Sequence, residues 1–427
     1  MIRRPTSRVG LDTERPSQAG RGRGSGEGAW WSGGLDATGN EPAMVLDARG
    51  SEGELWISDE CGDGRPPDCE VGPRATHHGD MTATFGIFDH IEALPGTPTP
   101  KLFADRLDLV KQADEGGFSA YYLAEHHGSE LCMAPTQEMF IAAASQITKQ
   151  IRMGPMVKLL PLHHPVRLIE DLCVVDNLTN GRIEFGVGRG VAPVEHYWFG
   201  SDWPSSTARF EDVLGIVCRA LRTGEISSEG SKYYTFRTMP MATKPVQAHI
   251  PFWYPGSPAT AGRFGLNLMW PGPISQEAYD LYAQAWHDHK GDEVRMDAPD
   301  AVPRVGCTMM LAIDKDADHA LDIATRGMNG LMRRTHAVHQ WDAEILGADA
   351  ADAALGPLRK ILGHIDLAIK AGAGTPEQIV ERFGAILDAG LTDHIVLQIP
   401  TGDMTLDEAK HTIDLFCGDV MPQLQAA

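Results

Sequence analysis

Residues 151–187 decide the fold. They read Ile151-Arg-Met-Gly-Pro-Met-Val-Lys-Leu-Leu160, then Pro165-Val-Arg-Leu-Ile-Glu-Asp-Leu-Cys-Val-Val-Asp-Asn-Leu178, then Asn180-Gly181 and Ile183-Glu-Phe-Gly-Val187. An apolar run of strand length, a helical segment opened by proline, an Asn-Gly stop and a second apolar run make a strand–helix–strand unit. Two strands joined through a helix lie parallel in one sheet, so the unit predicts an α/β fold.

The alternation continues in both directions. Further strand-like runs stand at Thr84–Phe88, Ala120–Ala124, Phe252–Tyr254, Leu266–Trp270, Val305–Ala312 and His394–Gln398. Helical patterns lie between them at Lys101–Glu115, Gln137–Thr148, Phe210–Arg222, Gln276–His289, Ala317–Met328, Pro376–Ala389 and Leu406–Phe416. Eight strand–helix pairs suit a (β/α)8 TIM barrel with insertions better than a doubly wound open sheet. Two connections are long: Ile226–Thr243, expected to form a hairpin excursion, and Thr335–Ala373, expected to extend the seventh helical region.

Composition bounds the partners. The chain has 427 residues and a formal net charge of −21, which repels nucleic acid and anionic membrane surfaces. No stretch approaches the roughly 18 apolar residues that a spanning helix needs. Among residues 1–80, 21 are Gly or Pro, against 53 in the other 347, and apolar periodicity is absent there. Residues 1–80 therefore read as a disordered leader, or as an upstream start before Met81, and residues 81–427 as the barrel. Seven scattered cysteines, without short paired spacings in the folded part, suit reduced thiols in a cytoplasmic protein. Cys132 reads as a small buried hydrophobe rather than a nucleophile.

Working residues of such a barrel sit where its strands end. Glu125-His126-His127 closes the second strand, and imidazole there serves as a base or a hydrogen-bond donor near neutral pH. A metal site is the rival reading, but adjacent side chains on an extended segment point to opposite faces, so these two rings do not readily chelate one ion. Gly186-Val187-Gly188-Arg189-Gly190 follows the fourth strand. It resembles the opening of a dinucleotide fingerprint, yet Val191 replaces the last glycine and the Val-Ala-Pro continuation does not open a helix. What remains is an arginine able to grip phosphate, or a tight turn with a solvated arginine. Gly256, Ser257 and Thr260 precede a helical run and offer either a phosphate cradle or an ordinary cap. His163 and His164 before Pro165 read as loop-fixing groups.

Together these segments resemble the flavin-dependent luciferase-like monooxygenases, the family of bacterial luciferase and alkanesulfonate monooxygenase. The residues that carry the likeness are the block Arg152–Gly200, with its Leu-Leu-Pro-Leu-His-His-Pro loop and Asn-Gly-Arg-Ile-Glu-Phe-Gly-Val-Gly-Arg-Gly run, and Glu125-His126-His127. The resemblance spans Phe85 to about Phe416. It implies a barrel that binds reduced FMN at its C-terminal rim, supplied by a separate flavin reductase, with O2 as co-substrate. Oxygen transfer would pass through a C4a-hydroperoxide to a small organic substrate, with His126 assisting proton movement. Arg189, Ser257 and Thr260 would hold the FMN phosphate. Met156-Val157 falls where the family often has a non-prolyl cis peptide beside the flavin ring, and Trp270 would line the flavin pocket. Gly256 stands where luciferase offers an acid, so luminescence is not implied. Relatives are commonly homo-oligomers. Two other activities share the fold: hydride transfer with a deazaflavin coenzyme, and flavin binding without catalysis.

Overall fold

The computed structural model describes residues 83–349 and 365–426; the expected leader, residues 1–80, lies outside the described residues. In chain order the strands are β1 (Thr84–Asp89), β2 (Ala120–Leu123), β3 (Arg152–Pro155), β4 (Lys158–Leu159) and β5 (Phe185–Gly188). They continue as β6 (Glu225–Ile226), β7 (Met239–Pro240), β8 (Phe252–Tyr254), β9 (Asn267–Pro271) and β10 (Val305–Met310). The last are β11 (Ala312–Ile313), β12 (Ala373–Gly374) and β13 (His394–Gln398).

Nine of these form one parallel sheet in the order β3-β2-β1-β13-β10-β9-β8-β5-β4. Its two edges, β3 and β4, are halves of a single run separated by the cis Met156–Val157 peptide. A parallel bridge between Met153 and Ile183 joins β3 to the chain entering β5, so the sheet nearly closes into a barrel of eight strand positions. The run expected as one strand over Ile151–Leu160 is thus broken at its middle. Helices join successive strands on the outside, the long ones including Thr99–Glu115, Pro165–Leu178, Ser206–Thr223 and Ala317–Leu346.

Side chains alternate along each strand, and the alternation separates two cores. Tyr122, Met156, Trp253, Met269 and Val396 fill the barrel interior, with Phe88 and Val157 packed against them. Phe85, Ile87, Tyr121, Leu268, Ile395 and Leu397 face the helices. Glu184, a buried carboxylate, ties several strands together. It accepts from Tyr122 Oη (2.6 Å), Trp253 Nε1 (2.7 Å) and Arg152 Nε (2.7 Å). Burial alone would raise its pKa, but Arg152, the Tyr122 hydroxyl, His394 and Arg304 bring it below the ordinary value.

The close approach of β3, β4 and β5 explains the Gly-Val-Gly run. A Cβ on Gly188 would lie 2.4 Å from Val157 Cγ2, so only glycine lets Val157 seat there. The chain after this run departs from expectation: Pro193–Trp198 is a six-residue helix, opened by Pro193 behind an extended Ala192. The Ile226–Thr243 excursion is a hairpin, β6 pairing antiparallel with β7. The helix expected over Ala317–Met328 runs on to Leu346, and Ile365–Gly372 is helical; residues 350–364 lie outside the described residues.

Candidate active site

His126 stands just past the end of β2, with its side chain 21% exposed. Its Nδ1 lies 3.3 Å from Oε1 of Glu195, and the same oxygen accepts the backbone N–H of His127 at 2.9 Å. Glu195 comes from the Pro193–Trp198 helix and is fully buried; its Oε2 has no hydrogen-bond partner among the described residues. Burial by itself would lower the His126 pKa. The Glu195 carboxylate, helped by Glu125 and Glu92, outweighs that and raises it above the ordinary imidazole value.

His127 turns away to Glu125, which accepts from its Nε2 (3.0 Å), from His163 Nε2 (2.6 Å) and from the backbone N–H of Leu159 (2.7 Å). Burial opposes the charge on Glu125, but the His127 and His163 hydrogen bonds and the nearby Lys158 hold it well below the usual carboxylate range. Glu125 therefore locks the end of β2 to β4 and the following loop. His164 caps the next helix, accepting the Val166 N–H at 3.3 Å. Both histidines before Pro165 thus fix the loop. Cys132 is buried, and burial pushes its thiol up to about 12.

The neighbouring part of the rim is cationic. Arg189 leaves the end of β5 half-buried, with its guanidinium 4.4 Å over the Trp203 ring and Nη1 donating to Ser206 Oγ at 3.2 Å. No carboxylate forms an ion pair with it among the described residues, and burial lowers its pKa. Strand β8 pairs directly with β5; the loop after β8 carries Gly256 and Ser257, and Thr260 lies in the first turn of the helix that follows. Ser257 caps the short Pro258–Arg263 helix, accepting from the Thr260 N–H. The Tyr254 hydroxyl is raised by burial, with Arg189 acting in the opposite sense.

The cis Met156–Val157 peptide lies between these two parts, in the chain linking β3 to β4, and both its side chains pack in the barrel interior. Trp270 stands near the end of β9. Along β9 it is Met269 that joins the interior, whereas Trp270 is half-buried against the core that holds Leu268. A cavity of about 490 Å³ adjoins the loops after β1 and β2 and the Ala317–Leu346 helix; Pro95, Gly128, Met133, Arg334 and Trp341 are among its walls.

Sequence reasoning missed Glu195, Ser206, Trp203 and His90. Glu195 and Trp203 lie in short helical turns and Ser206 opens the long helix Ser206–Thr223, and nothing local marks them as partners of His126 or Arg189. His90 had a signal, because it follows the last residue of β1 as His126 follows β2.

A parallel barrel with candidate working groups at its C-terminal rim is the architecture of a large class of enzymes. The chain belongs to the luciferase-like monooxygenase family, whose model matches residues 83–393. The uncharacterized protein y4wF of Sinorhizobium fredii is 35% identical over 348 residues, covering 80% of this chain and 97% of that protein. Among solved structures, the oxygenating constituent of 3,6-diketocamphane monooxygenase from Pseudomonas putida, in complex with FMN, matches with a TM-score of 0.61 at 19% identity, covering 80% of this chain and 98% of that one. The coenzyme F420 dependent tetrahydromethanopterin reductase of Methanopyrus kandleri matches with a TM-score of 0.57 at 20% identity, covering 80% and 99%. These two likenesses concern the fold.

Proposed function

We propose that this chain is the oxygenase of a two-component flavin-dependent monooxygenase, taking reduced FMN from a separate reductase in the cytoplasm and oxygenating a small organic substrate. The reading assigns the activity to residues 81–427. Its main support is Arg189, a half-buried guanidinium with no carboxylate partner among the described residues, at a strand end beside Ser206. A buried cation without a counter-ion is unfavourable, and a phosphate would relieve it with charge-assisted hydrogen bonds. Ser257 and Thr260, at the start of the helix that follows the adjacent strand, would add hydroxyl donors. Met156 and Val157 would face the ring.

Reduced FMN, when bound, would supply electrons to O2. The chain's own part would be to exclude water and move protons. His126, held by Glu195, is the group at the barrel mouth suited to hold a proton near neutral pH and release it. The cavity beside Met133 and Trp341 would receive the organic substrate.

The test is an anaerobic titration of the protein with reduced FMN and, separately, with a reduced deazaflavin, followed by oxygen. FMN binding with a reoxidation rate that depends on His126 is the expected outcome. Binding of the deazaflavin alone would replace the reading with hydride transfer. FMN binding with reoxidation unchanged in His126→Ala would leave a flavin-binding barrel without this chemistry.

A further inference from the structure

Strand β1 ends at Asp89, whose carboxylate faces outward to Arg106 (3.2 Å) and the Tyr121 hydroxyl (2.7 Å). The next residue therefore projects inward, as Phe88 does, and the His90 ring lies 4.7 Å from that of Phe88. Ile91 then adopts φ +53°, a conformation β-branched residues rarely take, held by its N–H on Asp89 Oδ1 (2.7 Å) and by Met133 N–H on its carbonyl (3.0 Å). The turn leaves His90 facing His126: their rings are nearly parallel (14°) with centroids 5.9 Å apart. On its other side His90 Nδ1 lies 3.2 Å from Gln398 Nε2, at the end of the adjacent strand β13. An amide nitrogen can only donate, so Nδ1 accepts and the ring proton resides on Nε2.

We propose that His90 is a positioning residue for His126: pinned by Gln398 in one tautomer, it fixes the plane of the His126 ring and leaves His126 as the member of the pair that takes up the proton. The two imidazoles have opposite surroundings. His126 faces Glu195 from the Pro193–Trp198 helix, Glu125 from its own strand end and Glu92 from the loop after β1. His90 faces the neutral amide of Gln398 and the ring of Phe88, and burial together with the His126 charge pushes it down to about 3. Chemically identical side chains at one mouth are thereby set to different protonation states, the arrangement that separates a proton carrier from its neighbour.

The proposal rests on the oxygenase reading only for what His126 does in turnover, because the ring states can be read on the protein without flavin. Histidine-selective 13C/15N labelling would be used, with His90→Phe and His126→Gln assigning the two rings. The expected spectrum shows His90 neutral from pH 5 to 8 with its proton on Nε2, while His126 takes up its proton at a pH above the ordinary imidazole value. Gln398→Leu should release His90 to a mixture of tautomers. His90→Ala admits water beside His126 and should move its titration to higher pH, and His90→Phe should restore it. In the loaded enzyme His90→Ala should slow reduced-FMN reoxidation about ten- to hundredfold, as misplacement of a reacting group does, with the FMN Kd within about twofold. A His90 ring that titrates between pH 6 and 7, or that carries its proton on Nδ1, overturns the proposal in the wild-type protein alone. So does a His126 titration unmoved by His90→Ala. If the ring states are as expected but reduced FMN does not bind, it is the oxygenase reading that falls.

Discussion

Replacing Arg189 by alanine isolates the phosphate end of the proposed flavin site. The guanidinium is already oriented before any ligand arrives, resting on Trp203 at 4.4 Å and donating to Ser206 at 3.2 Å. Little side-chain entropy is then left to lose on binding, so most of a charge-assisted hydrogen bond, about 1.5–3 kcal/mol, should be expressed as affinity. Half-burial limits screening by salt, which favours the upper part of that range. We expect Arg189→Ala to weaken FMN by about 2–3 kcal/mol, or about 30- to 150-fold in Kd. The assay is an anaerobic titration of wild type and variant with reduced FMN and with reduced riboflavin, which lacks the phosphate. Riboflavin affinity should be the same within about twofold, since the variant removes a group that riboflavin does not need. Equal losses for both ligands would mean that Arg189 supports the fold or the ring pocket. An unchanged FMN affinity would remove it from the site.

Two further outcomes follow from packing and burial. Gly188→Ala forces a Cβ to within 2.4 Å of Val157 Cγ2 and should destabilise the protein by about 1–3 kcal/mol, read as a lower thermal midpoint together with weaker FMN binding; an unchanged midpoint would show that Val157 moves freely. Glu92 is fully buried; burial and the neighbouring Asp89 push it up to about 7 from the ordinary 4.5. Its proton is held longer in the folded chain than in the unfolded one, so stability is lost as pH rises from about 4.5 through about 7, by up to about 3 kcal/mol. Glu92→Gln should accordingly gain in melting temperature relative to wild type at pH 8 but not at pH 5, and an equal difference at both pH values would refute the assignment.

The barrel was legible because strand and helix periodicities alternate cleanly, and because proline and Asn-Gly punctuate them. The break at Met156–Val157 was not legible as geometry: an apolar run of ten residues looks the same whether the strand is continuous or interrupted. Gly186–Gly190 was legible as an arginine among small residues, but the reason for Gly188 lies in Val157, 31 positions earlier, which only the folded sheet brings against it. Glu195 could not be found at all from its neighbours, since its partners His126 and His127 lie 69 and 68 positions away. Along β9, strand parity gives the interior to Met269 and sets Trp270 against the core that holds Leu268, a distinction that an apolar run does not display by itself.

The Pro193–Trp198 helix joins the two parts of the site. Successive helical residues point about 100° apart, so neighbours on so short a helix serve different walls. Glu195 reaches back to His126 and His127, while the His196 ring meets Trp203 edge-on at 5.0 Å, and Trp203 in turn underlies Arg189. The helix start is tied to the long insertion helix by the Val194 N–H on buried Asp342 (2.7 Å). The proposed proton handling at His126 and anion binding at Arg189 would therefore share one support. A displacement of this helix would move the Glu195 carboxylate away from the imidazole and the Trp203 ring from beneath the guanidinium together. The insertion that contacts its N-terminus through Asp342 is thus placed to act on both.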